Sequence, residues 1–334
     1  MKIFKVGGAV RDTQMGLKPK DTDWVVVGSS PEEMIEKGFK QVGKNFPVFL
    51  HPNTNEEYAL ARKDRKTGVG HKNFQFNFSP SVTLEEDLER RDLTINSMAL
   101  DEDGTLIDPF NGAKDIKNKC LRPVSQAFFE DPLRALRVAR FKAQFPEFFL
   151  HESMEQALNK ISTSNELSKL SSERVWGEVM RGLEYDFSEF LQIIRNYNLD
   201  TPWFNKLTEI PNINSDIPEI KWCEVSQANE FEFAMSLDIP KSFSKQLSLW
   251  KKFFDYDKRG NVSYKVKFFG DFSKNNLRDA IYTLQFFKDI NLECIPIIKE
   301  YANFNFGALA SNKKQEIESA KEKELKKIIE KYGQ

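Results

Sequence analysis

Strand-like patterning in this chain stops at about residue 130. Up to that point short apolar runs bounded by turn residues alternate with short helical stretches. Beyond it no convincing strand run appears and the pattern is helical. A chain of 334 residues has room for about two domains and a sizeable core. Strands mixed with helices first, and helices alone afterwards, predict an α+β fold with a small sheet in its first third and an all-α remainder.

The strands fall at Ile3–Val6, Asp23–Val27, Val48–Leu50 and Glu57–Ala61, with a strand end and turn over Leu106–Gly112. Gly7-Gly8 reads as a turn before a short helix over Val10–Met15. Ser30 caps a helix that Pro31 opens. Residues 63–80 are rich in Lys, Gly, Asn and Phe and read as a loop without periodicity. Thr83 and Glu86 form a capping box for a helix expected to carry Arg90 and Arg91. Asp131 is a good N-cap with Pro132 in first position. Ser172 is read as the cap of a helix containing Glu173, Arg174, Trp176 and Glu178. Asn312–Tyr332, rich in Lys and Glu, reads as a solvated terminal helix.

Chemistry concentrates between the first two strands, where Gly7-Gly8-Ala9-Val10-Arg11-Asp12 is followed by Asp21-Thr22-Asp23. Adjacent glycines permit positive φ and let backbone N–H groups approach a phosphate closely. The helix that follows adds its positive end, and Arg11 stands where it can hold a triphosphate oxygen. Asp21 and Asp23 are two apart, so on an extended strand both carboxylates face one side. That arrangement suits Mg2+ ions held against a triphosphate. Gly-Gly alone reads as a turn, and Asp-x-Asp alone as a solvated loop. In this order they point to nucleotide-dependent phosphoryl transfer without a Walker loop. Glu57 is a candidate third carboxylate, or a solvent-facing strand residue.

Two further segments extend the site. Arg90-Arg91-Asp92-Leu93-Thr94-Ile95-Asn96 offers Arg91 to triphosphate oxygens or a ribose, with Asp92 and Asn96 as local partners; a plain surface feature is the other reading. Glu130-Asp131-Pro132-Leu133-Arg134 continues to Arg137 and Arg140, so arginines recur every three residues on one broad face. The helix macrodipole disfavours a cation in the first turn, so Arg134 suggests a bound anion or a specific polar partner. Asp131 accepts hydrogen bonds and Arg134 donates them, a pair able to match the Watson–Crick edge of a base.

Composition narrows the classes. The net charge of -1 points to no partner, although a basic patch can hide inside a neutral total. Cys120, Cys223 and Cys294 are far apart, with no Cys-x-x-Cys spacing, so neither a zinc site nor a disulfide framework is expected. A reducing, cytoplasmic setting follows. No run of about 18 apolar residues suggests a membrane helix, and the N-terminus carries no charged-then-apolar signal region.

Taken together these residues resemble the class II tRNA nucleotidyltransferases, the CCA-adding enzymes of the DNA polymerase β-like superfamily. Gly7–Asp12 with Asp21 and Asp23 resembles the family's metal and triphosphate motif. Arg90-Arg91-Asp92 with Asn96 is similar to its ribose motif, and Asp108–Gly112 on to Arg122 to its hinge. Glu130-Asp131-x-x-Arg134 resembles the amino-acid template that pairs with C or A, and Ser172-Glu173-Arg174-Val175 with Glu178 the neck-stabilising motif. The likeness covers roughly residues 1–185 and is similar to the gammaproteobacterial branch.

The resemblance implies a nucleotidyltransferase head with a small mixed sheet (residues 1–125), a helical neck with the nucleotide-selecting motif (126–190), and a helical body and tail (191–334) that bind the tRNA acceptor arm. It implies Mg2+ at Asp21 and Asp23. It also implies that Gly8, Arg11 and Arg91 hold the triphosphate and sugar of ATP or CTP, that Asp131 and Arg134 select the base, and that Arg137 and Arg140 support the nucleotide. That branch often carries an HD phosphohydrolase domain. Here the histidines are His51, His71 and His151, so the HD metal site and its activity are expected to be absent. The alternatives are a CC-adding enzyme, an A-adding enzyme, a poly(A) polymerase or a non-catalytic RNA-binding relative.

Overall fold

In the computed structural model the described residues are 1–42, 48–66, 74–272, 276–304 and 314–332. The first elements are β1 (Lys2–Val6), α1 (Gly8–Gln14), β2 (Asp23–Val27), α2 (Pro31–Glu36), β3 (Lys40–Val42), β4 (Val48–Leu50), β5 (Glu57–Leu60), β6 (Lys63–Lys66), β7 (Phe74–Asn77), α3 (Leu84–Glu89), β8 (Ala99–Leu100), β9 (Leu106–Ile107) and α4 (Gly112–Lys117). Seven strands form one sheet in the order β3-β4-β5-β2-β1-β8-β9. Its pairs are antiparallel except β2 with β5, which makes the sheet mixed.

The valine run of β2 lies within this sheet and is covered on both faces. Val25 joins Phe4, Val6 and Leu88 in one apolar cluster, while Val26 joins Met34, Phe49 and Leu60 in another. Successive strand residues point to opposite faces, so burial on both sides turns an alternating pattern into a continuous apolar one. Ser30 Oγ accepts from the Glu33 N–H at 3.3 Å and starts α2. The Thr83/Glu86 capping box is formed in both directions, at 3.2 and 3.0 Å. The helix it starts ends at Glu89, so Arg90 caps the C-terminus of α3 and Arg91 follows it, instead of both lying on the helix.

The stretch read as a loop over residues 63–80 contains a strand pair. β6 and β7 run antiparallel, with Lys63 opposite Asn77; residues 67–73 lie outside the described residues. Phe74-Gln75-Phe76-Asn77 alternates at strand spacing, a signal that its Lys- and Gly-rich neighbours obscure.

Then follow β10 (Cys120–Leu121), α5 (Leu133–Gln144), β11 (Phe149–Leu150), α6 (Glu152–Thr163), α7 (Ser172–Leu183) and α8 (Phe187–Asn196). β11 is a strand beyond residue 130, two residues long and parallel to β10, too short to leave a periodicity. α5 packs against α7 and α8, and its Leu133, Leu136, Val138, Ala139 and Phe141 are buried. Ser171, not Ser172, holds the N-cap position of α7; Ser172 is the first helical residue, and its Oγ accepts from the Asp238 N–H at 2.7 Å.

The described chain divides into two compact units, Met1–Ile213 with Glu232–Asp238, and Asn214–Phe231 with Ile239–Gln334. The elements named so far belong to the first. The second holds α9 (Pro218–Ala228), α10 (Lys241–Phe254), α11 (Val262–Gly270), α12 (Leu277–Leu284), α13 (Asn291–Asn303) and α14 (Lys314–Tyr332). α14 is not a solvated helix throughout: Leu325, Ile328 and Ile329 are buried with Phe269, Ile297 and Ile298. Four-residue apolar spacing on an otherwise charged helix is enough to seat one stripe in a core.

Candidate active site

β1 passes into α1 through Gly7, whose φ is 73° and ψ -137°. An L-residue rarely adopts that conformation. A Cβ there would lie 3.0 Å from Arg91 Nη1 and 3.8 Å from Asp23 Oδ2, so the glycine leaves room for a guanidinium and a carboxylate to approach the turn. Arg11, one helical turn on, is buried. Its Nη1 donates to Asn96 Oδ1 at 2.9 Å, and its Nε and Nη2 donate to Asp12 Oδ1 at 2.9 and 2.6 Å. The rings of Phe141 and Phe145 lie 5.4 and 5.3 Å from its guanidinium carbon, near enough for cation–π attraction.

Asp23 is the first residue of β2 and sits in register with Val6 on one side and Glu57 on the other. Asp21 lies in the bend before β2, not on the strand with Asp23 as the two-residue spacing suggests. Both carboxylates are exposed and line the same cleft. Glu57 neighbours Asp23 in the ladder but is not among the residues lining that cleft. Among the described residues no group of three or more metal-ligating side chains is assembled.

Asp87 is fully buried and holds both arginines of the Arg90-Arg91 pair. Its Oδ1 accepts from Arg90 Nε and Nη2 at 3.0 and 2.7 Å and from the Arg62 N–H at 3.2 Å, and its Oδ2 accepts from Arg91 Nη2 at 3.1 Å. Burial alone would push this carboxyl up; Arg90 and Arg91 outweigh burial and hold it below the ordinary aspartate value.

Asp92 begins a second network. Its Oδ1 accepts from Asn96 Nδ2 at 3.1 Å and from the Leu93 N–H at 2.8 Å, while its Oδ2 accepts from Arg137 Nε at 2.7 Å. Burial again opposes the charge, and Arg137 and Asn96 overcome it, holding the Asp92 carboxyl well below the usual range. Glu178 of α7, also buried, accepts from Arg140 Nε at 2.7 Å and from Arg181 Nη1 at 2.9 Å. The Arg140 guanidinium lies 4.0 Å from the Phe141 ring centroid. Residues 134, 137 and 140 thus occupy the polar face of α5, and two of them, Arg137 and Arg140, reach Glu178 of α7.

Before α5, Asp131 Oδ1 accepts from the Leu133 N–H at 3.1 Å, but Pro132, not Asp131, holds the N-cap position and the helix begins at Leu133. Asp131 Oδ2 accepts from Arg174 Nη2 at 2.6 Å. Arg134 donates Nη1 to the Ala127 carbonyl at 2.6 Å and Nη2 to the Arg90 carbonyl. These backbone acceptors are polar partners of the kind its unfavourable dipole position calls for. Burial lowers its pKa from the arginine value.

These residues surround one cleft of about 970 Å³, lined by Gly8, Arg11, Asp21, Asp23, Arg91, Asp92, Asn96, Asp131, Arg134, Arg137 and Arg140. Ten basic and six acidic side chains line it, a local excess of positive charge in a chain whose net charge is -1. Anionic ligands are concentrated in such clefts. Sequence reasoning did not single out Lys18, Lys20, Arg181, Glu184 or Tyr185, which line it too. Lys20 Nζ is 3.6 Å from Glu184 and 6.0 Å from the Tyr185 ring centroid. Its place directly before Asp21 was the available signal.

A mixed sheet that opens a Gly-Gly turn and an acidic loop onto a basic cleft defines the class, and residues 3–122 match the Poly A polymerase head domain. The chain is 43% identical over 278 residues to the Multifunctional CCA protein of Teredinibacter turnerae, covering 78% of this chain and 67% of that protein. Its fold is similar to that of the Bacillus stearothermophilus CCA-adding enzyme in complex with CTP, with a TM-score of 0.68, 19% identity, and coverage of 98% of this chain and 89% of that one. It is also similar to that of the Thermotoga maritima CCA-adding enzyme complexed with tRNA, with a TM-score of 0.67, 20% identity and coverage of 100% and 88%. The chain belongs to the family of CCA-adding enzymes. It spans about half the length of several curated relatives that it matches at 55–56% identity. Nucleotidyltransferases of this type generally use a divalent metal ion. Among the described residues no helix is long and apolar enough to cross a membrane.

Proposed function

We propose that the chain adds C, C and A to the 3′ end of tRNA in the cytoplasm, using CTP and ATP and releasing pyrophosphate. The observation that carries this reading is the single basic cleft that holds both Asp21 and Asp23 and the Asp131–Arg134 segment. Chemistry and base choice then share one site, with no nucleic-acid template. The terminal 3′ oxygen forms a bond to the α-phosphorus, the bond to the β-phosphate breaks, and the hydroxyl proton passes to solvent.

Asp21 and Asp23 are the proposed Mg2+ ligands. Both carboxylates are exposed on the cleft, and Asp23 Oδ2 points toward the Gly7 turn. Two carboxylates completed by substrate phosphates are a usual Mg2+ donor set. Bound there, the ion would neutralise charge on the phosphates; Glu57 is the proposed third carboxylate beside Asp23. Gly8, Arg11 and Arg91 hold the triphosphate and sugar, with Asn96 fixing Arg11 and Asp92 fixing Asn96 and Arg137. Asp131 and Arg134 choose the base, and Arg137 and Arg140 support the nucleotide from the polar face of α5. In this reading residues 1–125 are the head and 126–190 the neck. Residues 191–334 bind the acceptor arm, largely by shape and phosphate contacts.

Incubating the chain with tRNA that lacks its CCA end, and with CTP, ATP or both, tests the reading. The expected result is two nucleotides from CTP alone and three from the mixture. Arrest after CC, addition of A only to a CC end, or a long A tail would identify the narrower enzymes. Binding without addition would identify a non-catalytic relative.

A further inference from the structure

The Arg91 guanidinium is anchored at one end and open at the other. It lines the nucleotide cleft, and its Nη1 lies 3.0 Å from the position a Cβ on Gly7 would take. Its Nη2 donates to Asp87 Oδ2 at 3.1 Å. Its Nε is buried and makes no hydrogen bond among the described residues; in that set Asp87 is the one hydrogen-bond partner of this guanidinium. Asp87 is itself fully buried, so it meets no ligand directly. Its other oxygen, Oδ1, accepts from Arg90 Nε, Arg90 Nη2 and the Arg62 N–H. One carboxylate oxygen thus faces three donors, and the second serves Arg91.

We infer that Asp87 is a positioning residue for nucleotide transfer: it holds one end of the Arg91 guanidinium so that the other end is fixed at the triphosphate. This rests on the proposed function, in which Arg91 holds triphosphate and sugar, and it adds the group that aims Arg91. An arginine free to rotate loses side-chain entropy when it closes on a phosphate. One fixed beforehand has less to lose and binds more tightly. The planar guanidinium suits this bridging, because its donors diverge in a rigid fork. Charge agrees as well. Two guanidiniums face one buried carboxylate, so the cluster keeps a net positive charge for the phosphates. The same geometry dictates what asparagine does at this position. Its amide oxygen stays with the three donors from Arg90 and Arg62, and its amide nitrogen faces Arg91 Nη2, donor against donor. Asp87→Asn therefore frees Arg91 selectively.

The test is KM and kcat for CTP on tRNA lacking its CCA end and for ATP on tRNA ending in CC, together with Tm. The proteins are the wild type, Asp87→Asn, Arg91→Met and the double variant. Wild-type turnover of the two nucleotides tests the proposed function; the variants, each relative to the wild type, test Asp87. The expected result is a KM for both nucleotides raised at least about tenfold by Asp87→Asn, with no further rise when it is added to Arg91→Met. A residue serving stability alone would lower Tm and leave KM in place, so wild-type KM values in a folded Asp87→Asn protein would overturn the inference. An equal rise in both backgrounds would overturn it too, because Asp87 would then act by a route other than Arg91. Should Asp87→Asn fail to fold, Arg91→Lys decides. A single ammonium cannot bridge Asp87 and the Gly7 turn, so its KM should match that of Arg91→Met; a KM nearer the wild type's would overturn the inference.

Discussion

Asp92 and Arg137, 45 residues apart in sequence, form an ion pair of 2.7 Å that joins the segment after α3 to the polar face of α5. The contacts extend on both sides. Asp92 also accepts from Asn96, which accepts from Arg11, and Arg137 lies 3.8 Å from Glu178, which holds Arg140. One run of polar contacts thus ties α1, the arginine segment, α5 and α7 together around the cleft.

Breaking this run at Asp92 should have a pH signature. The folded carboxyl titrates well below its unfolded value of about 3.9. Its stabilisation is therefore fully present above that value and is lost as pH falls through the folded one. Asp92→Asn should cost roughly 3 kcal/mol near neutrality, as removal of one partner of a buried pair does. The Tm gap to wild type should narrow below about pH 4. Thermal unfolding of both proteins across pH 3–8 measures it; a gap that stays constant down to pH 3 would mean the pair contributes nothing through its charge.

At Gly7 the prediction concerns backbone as much as space. Gly7→Ala forces an L-residue to φ 73° and ψ -137°, a strain of about 1–3 kcal/mol. It also places a methyl 3.0 Å from Arg91 Nη1. Arg91 must then give way, so KM for CTP and ATP should rise together, by about tenfold, with base preference unchanged. Steady-state kinetics with both nucleotides decide; wild-type KM values in the alanine variant would contradict the placing of Arg91 at the triphosphate.

Much of this arrangement was legible in the residues. Two-residue spacing of Asp21 and Asp23 after a Gly-Gly turn, and three-residue spacing of Arg134, Arg137 and Arg140, are local signals, and the structure brings all of them to one cleft. Partners set by tertiary contact were harder to read. Asp87 looks like one more acid in an acidic helix turn, and nothing in its neighbourhood says that it is buried or that it holds Arg62, Arg90 and Arg91. Arg174 belongs to the segment that resembles the neck-stabilising motif, and its bond to Asp131 spans 43 residues. The β6–β7 pair was missed because four alternating residues beside a Gly- and Lys-rich stretch give too short a period to stand out.

A negative outcome is expected for phosphohydrolase chemistry. All three histidines fall at or before His151, and an HD-type metal site needs imidazole ligands. Homogeneous protein of this sequence should not hydrolyse 2′,3′-cyclic nucleotides or simple phosphate esters with added divalent metal. Robust metal-dependent hydrolysis that co-purifies with the chain would contradict this.

The central claim is that nucleotide transfer takes place at the cleft face bearing Asp21 and Asp23. Its most direct measurement is single-turnover incorporation of CTP and of ATP by Asp21→Ala and Asp23→Ala, alongside tRNA binding by the same proteins. Neither side chain is buried, so both variants should fold. Both should lose incorporation of both nucleotides by several orders of magnitude while binding tRNA with nearly wild-type affinity. Incorporation of either nucleotide at near wild-type rate by either variant would contradict the account.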